Sequence, residues 1–444
     1  MLFARRGAVA LLAMCVGVLA LLVPAQSASA AGPMTGPDPW YTYSGAKPLA
    51  EFRPGDVLKV RKSNYHVLAL PTPVKAVQIL YRSTNALGEP VANATSVLIP
   101  KGKHYKGRAV SYQSFYDSMN PDDGPSRAVR GDLTLGGLVN IAEAQLLAPM
   151  LTHGYIVLLP DTEGQKADFA VGPVYGMNTL DSIRAARKLK VGGLKKRAKI
   201  GLIGYSGGAI GTNWAAALAP SYAPDVNKDL IGATSGGLLV DPAHNLKYIS
   251  GSLVWAGVAG MAIFGASRAY GIDMSPYISD YGNSLAPKFE KAGIADVLLA
   301  HPWLKWEHVV KPRYANPNSI SDFVDIVNKI NLGLAPKPTI PIQVVQGTGG
   351  WMEGTGGMIP GIGTGDGVMV SGDVRQLMRE YCDAGRTVEY HEVGLSHVGA
   401  AALWAYPAYM FLLDRFNGKP AANNCSSFGT GNSLAPEVFV PPAG

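Results

Sequence analysis

Cysteine is scarce in this sequence of 444 residues, which holds three. None of them stands in a Cys-x-x-Cys pair or in a cluster of metal-ligating residues, so the pattern of a thiolate metal site is absent. Charged residues are also few, at 16% of the composition, and Lys and Arg are spread along the chain without long blocks. This distribution argues against nucleic-acid binding, and we expect no nucleic-acid partner.

Motifs for cofactor binding are missing as well. The glycine-rich stretch from Gln346 to Gly367 has no Lys-Ser/Thr pair of a P-loop, and no strand–helix–strand unit places a dinucleotide on it. His391-Glu392 lacks a second histidine at the spacing of a zinc-protease helix. We therefore expect a protein without metal or organic cofactor. We interpret the glycine-rich stretch as a flexible loop on the rim of a site.

Long apolar runs are rare, and the clearest one lies at the N-terminus from Ala8 to Val23. It follows Arg5 and Arg6 and precedes Ala28-Ser29-Ala30, the order of a secretory signal peptide with its cleavage site. The run is short for an uncleaved membrane anchor. We predict that residues 1–30 are a signal peptide and that the protein is secreted. Loss of two arginines lowers the formal net charge from +7 to +5.

The predicted mature chain keeps two cysteines, Cys382 and Cys425. In an exported protein an even pair favours one disulfide, which would tie the C-terminal tail to the body. Two buried free thiols are the alternative.

The most informative stretch is the pentapeptide Gly204-Tyr205-Ser206-Gly207-Gly208. An apolar strand precedes it (Lys199 to Ile203) and a helical stretch follows it, and Gly-x-Ser-x-Gly in that context is typical of the nucleophile turn of α/β hydrolases. Side chains at Gly204 or Gly208 would clash with neighbouring elements in such a strained turn. The backbone N–H of Gly207, at the helix N-terminus, would face a developing oxyanion. A turn with an ordinary exposed serine is the alternative.

Strands and helices alternate on both sides of Ser206, which predicts a mostly parallel central sheet with helices on both faces. Residues 31–241 and 336–424 form this core in our interpretation, and residues 242–335, helical and rich in proline, form a cap inserted after a core strand. Within the cap, Leu253 to Phe264 is apolar on every side, so it is either a buried helix or a wall of an acyl-binding pocket. We expect Pro33 to Leu70 to be an arm wrapped on the core and residues 425–444 to be an unstructured tail apart from Cys425.

A nucleophilic serine needs a base and an orienting acid, which follow it in this order along α/β hydrolases. His397 lies in a loop between the last predicted strand and the last helix, where the base belongs. For the acid, Glu353, Asp366 and Asp373 all follow the strand from Ile340 to Val345. Asp373 fits a helix cap better. The order of residues along the chain does not decide whether Glu353 or Asp366 is the acid.

Several separated motifs resemble the secretory lipase family, which includes the fungal lipase A type and actinomycete members. They are SYQSFYDS, GYIVLLPDTEG followed by TLDSIRAAR, GYSGGAIGTNWAAALAPSYAPD and the final GLSHVGAA. The resemblance implies an α/β hydrolase with a large helical lid, nucleophile Ser206 and base His397. It selects Asp366 as the acid, with Glu353 in reserve, because Gly363-Thr364-Gly365-Asp366 precedes Asp373-Val374-Arg375. An insertion of about sixteen residues separates this acid from its strand.

The same resemblance implies that Asp117, in the Tyr-x-x-x-x-Asp-Ser stretch, is a second oxyanion donor beside Gly207; a loop-capping aspartate is the alternative. The predicted activity is hydrolysis of carboxylic esters, foremost triacylglycerols, by a monomer that meets its substrate at a lipid interface. A short-chain esterase or an acyltransferase is the alternative on the same site. A secreted lipid- or wall-binding protein that catalyses no reaction is the alternative outside the enzymes.

Overall fold

The computed structural model describes residues 38–442. The predicted signal peptide, residues 1–30, lies outside the described residues. Among residues 38–442, no helix has the length and apolar character needed to cross a membrane.

The described chain builds a sheet of nine strands. Strands in its middle are buried on both faces: all five residues from Ile156 to Pro160 are buried, as the continuous apolar runs of parallel sheets require. The strands are β1 (Val57–Val67), β2 (Leu70–Thr84), β3 (Pro90–Ile99), β4 (Arg108–Gln113), β5 (Ile156–Pro160), β6 (Lys199–Tyr205), β7 (Leu230–Gly236), β8 (Ile342–Gly347) and β9 (Val388–Val393).

The spatial order of the strands is β1-β2-β3-β5-β4-β6-β7-β8-β9. Strands β1, β2 and β3 pair antiparallel, and β3 meets β5 antiparallel. From β5 to β9 every neighbouring pair is parallel. The carboxyl ends of these six strands therefore meet at one edge of the sheet, where α/β proteins place their sites.

Helices cover both faces of the sheet, which confirms the predicted α/β-hydrolase architecture. One core cluster packs α3 and α4 against the sheet, and another packs α2 and α13 against the opposite face. The helices are α1 (Pro125–Arg130), α2 (Leu138–Thr152), α3 (Gly172–Lys188), α4 (Gly207–Tyr222), α5 (Pro224–Asn227), α6 (Pro242–Ile249), α7 (Ala256–Tyr270), α8 (Asp280–Phe289), α9 (Ile294–Val297), α10 (Trp306–Val309), α11 (Ser321–Lys329), α12 (Ser371–Asp383) and α13 (His397–Phe416).

The segment predicted as a cap, residues 242–335, contains α6 to α11 together with short 3-10 turns. An isolated antiparallel bridge joins Ile278 and Val310 within it. Buried residues of α7, α8 and α9, among them Met261 and Phe289, share one apolar cluster with Met119, Phe169 and Val368 from outside the segment. The helical character of the segment agrees with the expectation, and its division from the core stays a prediction.

The structure adds detail to the expectations for both ends of the chain. Within the predicted arm, Pro33 to Leu70, residues 57–67 form the edge strand β1, and of its eleven residues only Tyr65 is buried. Residues 425–442 contain no helix or strand, yet they are packed: Leu434 is 5% exposed and lies in the core cluster that contains α3 and α4. The predicted disulfide between Cys382 and Cys425 is confirmed, with Cα atoms 5.8 Å apart.

Candidate active site

Ser206 lies in the sharp turn between β6 and α4, at the edge where the parallel strands end. Its backbone has φ 54° and ψ −123°, a strained conformation for a residue with a side chain. The flanking glycines allow this turn. A Cβ on Gly204 would lie 2.3 Å from the carbonyl oxygen of Gly208, and a Cβ on Gly208 would lie 2.1 Å from that of Gln113.

Three side chains predicted from the sequence form one hydrogen-bonded chain. The Oγ of Ser206 lies 2.8 Å from Nε2 of His397. Nδ1 of the same ring lies 2.7 Å from Oδ2 of Asp366. Because the carboxylate accepts, Nδ1 carries the proton, and Nε2 is left to accept from the serine hydroxyl. His397 and Asp366 are 4% and 0% exposed, so water is largely excluded from the pair.

After the predicted insertion, Asp366 lies beside the carboxyl end of β8, at the edge of the sheet that carries Ser206. Oδ1 of Asp366 accepts the backbone N–H groups of Val368 and Met369, and its Oδ2 also accepts Nε2 of Gln346, the penultimate residue of β8. The backbone N–H of His397 donates to the carbonyl oxygen of Asp366 at 2.6 Å. The acid is thus held by its own loop and by the strand it follows, despite the long excursion between them.

The other two acid candidates have different partners. Asp373 bonds Nδ1 of His244 at 2.9 Å. Glu353, the reserve, accepts Nε1–H of Trp255 at 2.8 Å and the backbone N–H of Val398 at 3.0 Å. The structure therefore pairs Asp366, and neither alternative, with the imidazole of His397.

Opposing effects act on the pKa of His397. Burial lowers it, because the charged imidazolium loses hydration. The charge and hydrogen bond of Asp366 raise it, and the charges of Glu353 and Asp117 add to this. The net result is a raised pKa, so the site stabilises the imidazolium better than water does when the ring takes up a proton.

Asp117 lies directly against the serine turn. Its backbone φ is 41°, and a Cβ on Gly207 would lie 1.7 Å from its Oδ1. Burial raises its pKa to about 7, against the lowering effects of the His397 charge and the Gly207 N–H. Although that N–H lies near the carboxyl group, Oδ1 makes no well-formed hydrogen bond to any described residue.

Glu163 supports the Asp117 loop, and the sequence analysis assigned it no role. Its carboxyl oxygens accept the N–H of Ser118 at 3.3 Å, and one of them accepts the hydroxyl of Tyr175 at 2.9 Å. Burial raises its pKa well above the ordinary value. Glu163 belongs to the GYIVLLPDTEG motif, which the resemblance had singled out. The neighbouring residues do not indicate that its side chain contacts the loop of Asp117.

A cavity of about 210 Å³ opens on Ser206, His397 and Asp117. Its walls are almost wholly apolar and come from α2, the first turns of α13, and the segment predicted as a cap. They include Phe115, Leu135, Leu138, Val139, Ala142, Leu146, Trp255, Ile294, Ala295, Leu298, Val398, Ala401, Ala402 and Ala405. From the apolar stretch Leu253 to Phe264, Trp255 alone lines this cavity, while Ala259, Ala262 and Ile263 line a second apolar cavity of about 80 Å³.

One group of described residues outside this site offers three metal-ligand atoms within 4.8 Å of one another: Asp241, His244 and Glu437. Asp241 already caps α6, accepting the N–H groups of Ala243 and His244. The ring of His244 is held by Asp373. We therefore describe this group as an ion-pair and capping network.

The parallel sheet, the strained serine turn and the histidine after the last strand define an α/β hydrolase. The structure of lipase A from Candida antarctica in its closed state agrees, with 24% identity, 91% of each chain covered and a TM-score of 0.76. A secretory lipase family model matches residues 130–424, and the chain belongs to the secretory lipase family.

Two curated relatives illustrate the range of this family. Lipase 5 of Candida albicans is 31% identical over 402 residues, which span 87% of this chain and 82% of the relative. A Mycobacterium tuberculosis protein named "Probable inactive lipase" is 29% identical over 379 residues, 84% of this chain and 80% of the relative. The chain is a lipase-like carboxylic ester hydrolase by family.

Proposed function

We propose that this protein is a secreted serine hydrolase that cleaves the ester bonds of acylglycerols through an acyl-enzyme. The observation that carries the proposal is the hydrogen-bonded chain from Ser206 through His397 to Asp366, which opens into an apolar cavity. A serine hydroxyl is a weak nucleophile at neutral pH and needs such a base. The order and roles match those of a catalytic triad.

In the first step, Nε2 of His397 takes the proton of Ser206 while Oγ attacks the ester carbonyl carbon. The imidazolium that forms is stabilised by Asp366, in line with the raised pKa of the ring. The imidazolium then protonates the departing alcohol, which leaves the acyl group on Oγ. In the second step, His397 takes a proton from water, the hydroxide attacks the acyl carbon, and the fatty acid departs as Ser206 regains its proton.

The negative charge of the tetrahedral intermediate needs donors on the far side of the carbonyl. The N–H of Gly207 at the start of α4 is one candidate. The carboxyl group of Asp117 is the second, because it donates a hydrogen bond when protonated and cannot when ionised. A pKa of about 7 keeps a protonated fraction at neutral pH, and a nearby oxyanion would favour the protonated form further.

The apolar cavity favours a fatty acyl chain as the group bound beside Ser206. Its walls offer few polar partners, so affinity would come from burial of methylene groups, about 0.8 kcal/mol for each. The secretory lipase family supports secretion, together with the N-terminal sequence pattern. A short-chain esterase or an acyltransferase is the alternative on the same residues.

Hydrolysis of p-nitrophenyl esters, from acetate to palmitate, tests the proposal with the wild type, Ser206→Ala and Asp366→Asn. We expect the serine variant to be inactive, the aspartate variant to be strongly impaired, and the wild type to prefer long chains. A preference for acetate would identify a short-chain esterase. Full activity in Asp366→Asn would move the acid to Glu353. A wild type that cleaves no ester and is not labelled at Ser206 by a fluorophosphonate would leave the lipid-binding protein as the explanation.

A further inference from the structure

Glu353 uses both of its carboxylate oxygens on elements that surround His397. Oε2 accepts Nε1–H of Trp255, which precedes α7 in the segment predicted as a cap, at 2.8 Å. Oε1 accepts the backbone N–H of Val398, in the first turn of α13, at 3.0 Å. A single side chain thus connects the glycine-rich insertion, the cap segment and the helix that carries the imidazole.

The indole of Trp255 packs on the imidazole that Ser206 needs. The rings of Trp255 and His397 meet edge to face, with centroids 5.3 Å apart and an interplanar angle of 77°. Tyr205 packs on the imidazole with a centroid distance of 5.2 Å. The orientation of the imidazole therefore depends on the orientation of the indole, and Glu353 is the hydrogen-bond partner of the indole nitrogen.

The second contact acts on the start of α13. The first backbone N–H groups of a helix have no partners within the helix, and they carry a partial positive charge. Ser396 caps one of them, the N–H of Gly399, at 3.3 Å. Glu353 supplies an acceptor and a negative charge to the N–H of Val398, one residue after the catalytic imidazole.

The end of the glycine-rich stretch leaves room for this carboxylate. Gly367 has φ +126°, and a Cβ there would lie 2.7 Å from Oε2 of Glu353 and 3.0 Å from Nε1 of Trp255. The residue that follows Asp366 must therefore lack a side chain for the carboxylate and the indole to meet. This fit argues against Glu353 being an ordinary loop residue.

We propose that Glu353 is a positioning residue for catalysis: through Trp255 and the first turn of α13 it fixes the imidazole of His397 between Ser206 and Asp366 and adds a second negative charge beside it. The inference rests on the proposed ester hydrolysis. Asp366 remains the partner of Nδ1, and Glu353 acts through its neighbours without touching the ring.

The charge of Glu353 predicts an effect that a purely structural contact would not produce. The charged groups that act on His397 are the carboxyl groups of Asp366, Glu353 and Asp117. Only the neutral imidazole can act as the base, so kcat/KM falls at low pH as the ring is protonated. Removal of the Glu353 charge lowers the pKa of the ring and moves this acid limb to lower pH.

The experiment compares pH profiles of p-nitrophenyl ester hydrolysis for the wild type, Glu353→Gln, Trp255→Phe and their combination. Rates are expressed per serine labelled by a fluorophosphonate, so that unfolded protein does not count. A glutamine oxygen can accept one of the two hydrogen bonds and brings no charge. We expect kcat to fall about 10- to 100-fold with KM little changed, and the acid limb to shift down by roughly half to one pH unit.

Trp255→Phe keeps an aromatic ring but loses the N–H, so kcat should fall while the acid limb stays. The double variant should lose less than the product of the two single losses, because both remove the same hydrogen bond. Glu307→Gln, which removes an exposed carboxylate in α10, is the control and should match the wild type. An acid limb in Glu353→Gln identical to that of the wild type, or independent losses in the double variant, would overturn the inference. Absence of ester hydrolysis in the wild type would refute the proposed function instead.

Discussion

Replacement of Asp117 by asparagine removes one buried charge with almost no change in volume. The carboxyl group is 7% exposed and has a pKa of about 7, against an ordinary value of 3.8. An asparagine amide is neutral at every pH and always carries donors. The substitution should therefore change both the pH dependence of stability and the pH dependence of catalysis, in directions that the structure fixes.

The magnitude follows from the difference between the folded and unfolded pKa values. Between pH 3.8 and about 7 the folded protein holds a proton that the unfolded chain has lost, so wild-type stability declines as pH rises through this window. Each pH unit costs about 1.4 kcal/mol. The stability of Asp117→Asn relative to the wild type should therefore be about 3 kcal/mol more favourable at pH 8 than at pH 5.

Catalysis by the wild type should also decline as pH rises, for a separate reason. The protonated carboxyl group can donate to the oxyanion, and the ionised group cannot, so we expect wild-type kcat/KM to decline as pH rises above about 7. In Asp117→Asn this alkaline decline should disappear. Asp117→Ala has no donor, and its kcat should be lower by about 10²- to 10³-fold at every pH.

Urea denaturation at pH 5 and pH 8, with the disulfide intact, measures the first effect, and p-nitrophenyl ester hydrolysis across the same range measures the second. Asp325→Asn is the matched control. Its carboxylate is 64% exposed and paired with Lys329 on the surface, so it should change stability by less than about 1 kcal/mol at either pH. A relative stability of Asp117→Asn that does not change between pH 5 and pH 8 would refute the buried, proton-binding carboxyl group. An Asp117→Ala variant as active as the wild type would refute its role as donor.

Three further expectations follow from the site and its support. Gly207→Ala should lose at least about 10²-fold in kcat in the ester assay, because its Cβ would lie 1.7 Å from Oδ1 of Asp117 and displace it; wild-type rates would contradict the close approach. Asp366→Asn should lower kcat by about 10⁴-fold because the amide favours the wrong imidazole tautomer. A kcat within tenfold of the wild type would mean that another residue orients the imidazole. Replacing both Cys382 and Cys425 with alanine should lower the free energy of unfolding by about 4 kcal/mol for a separation of 43 residues, with kcat unchanged; an unchanged urea midpoint would argue against this contribution.

The central features of the fold were predictable because their signals are local. The serine turn can be recognised from five consecutive residues between a strand and a helix. Strand β6 and helix α4 lie where the sequence predicts them. His397 could be located because it follows β9 after a short loop. The sequence placed it in that loop, whereas it is the first residue of α13. Parallel topology then brings the ends of β6, β8 and β9 to one edge, which explains why residues distant in sequence form one hydrogen-bonded chain.

Two features that the pattern of residues did not determine, strand β1 and the position of the acid, depend on partners distant in the chain. Strand β1 lies at the sheet edge with no buried face, so its sequence lacks the apolar alternation by which strands are recognised. The choice between Asp366 and Glu353 was undecidable from spacing, since both lie in one glycine-rich segment. Only the three-dimensional path of that segment places one carboxylate on the imidazole and the other on Trp255.

The C-terminal tail explains how so glycine-rich an insertion can hold a catalytic acid in place. The Nδ2 of Asn432 donates to the carbonyl oxygen of Ile362 inside the insertion at 2.8 Å, and to Oδ1 of Asp373 at 2.7 Å. Its backbone N–H donates to Gly372 at the start of α12. The disulfide at Cys425 anchors the beginning of this tail to α12, seven residues before Asn432. The tail, itself tied to α12, therefore holds the insertion at Ile362, while Glu353 holds it through Trp255 and Val398. These contacts lie on either side of the exposed residue Met358.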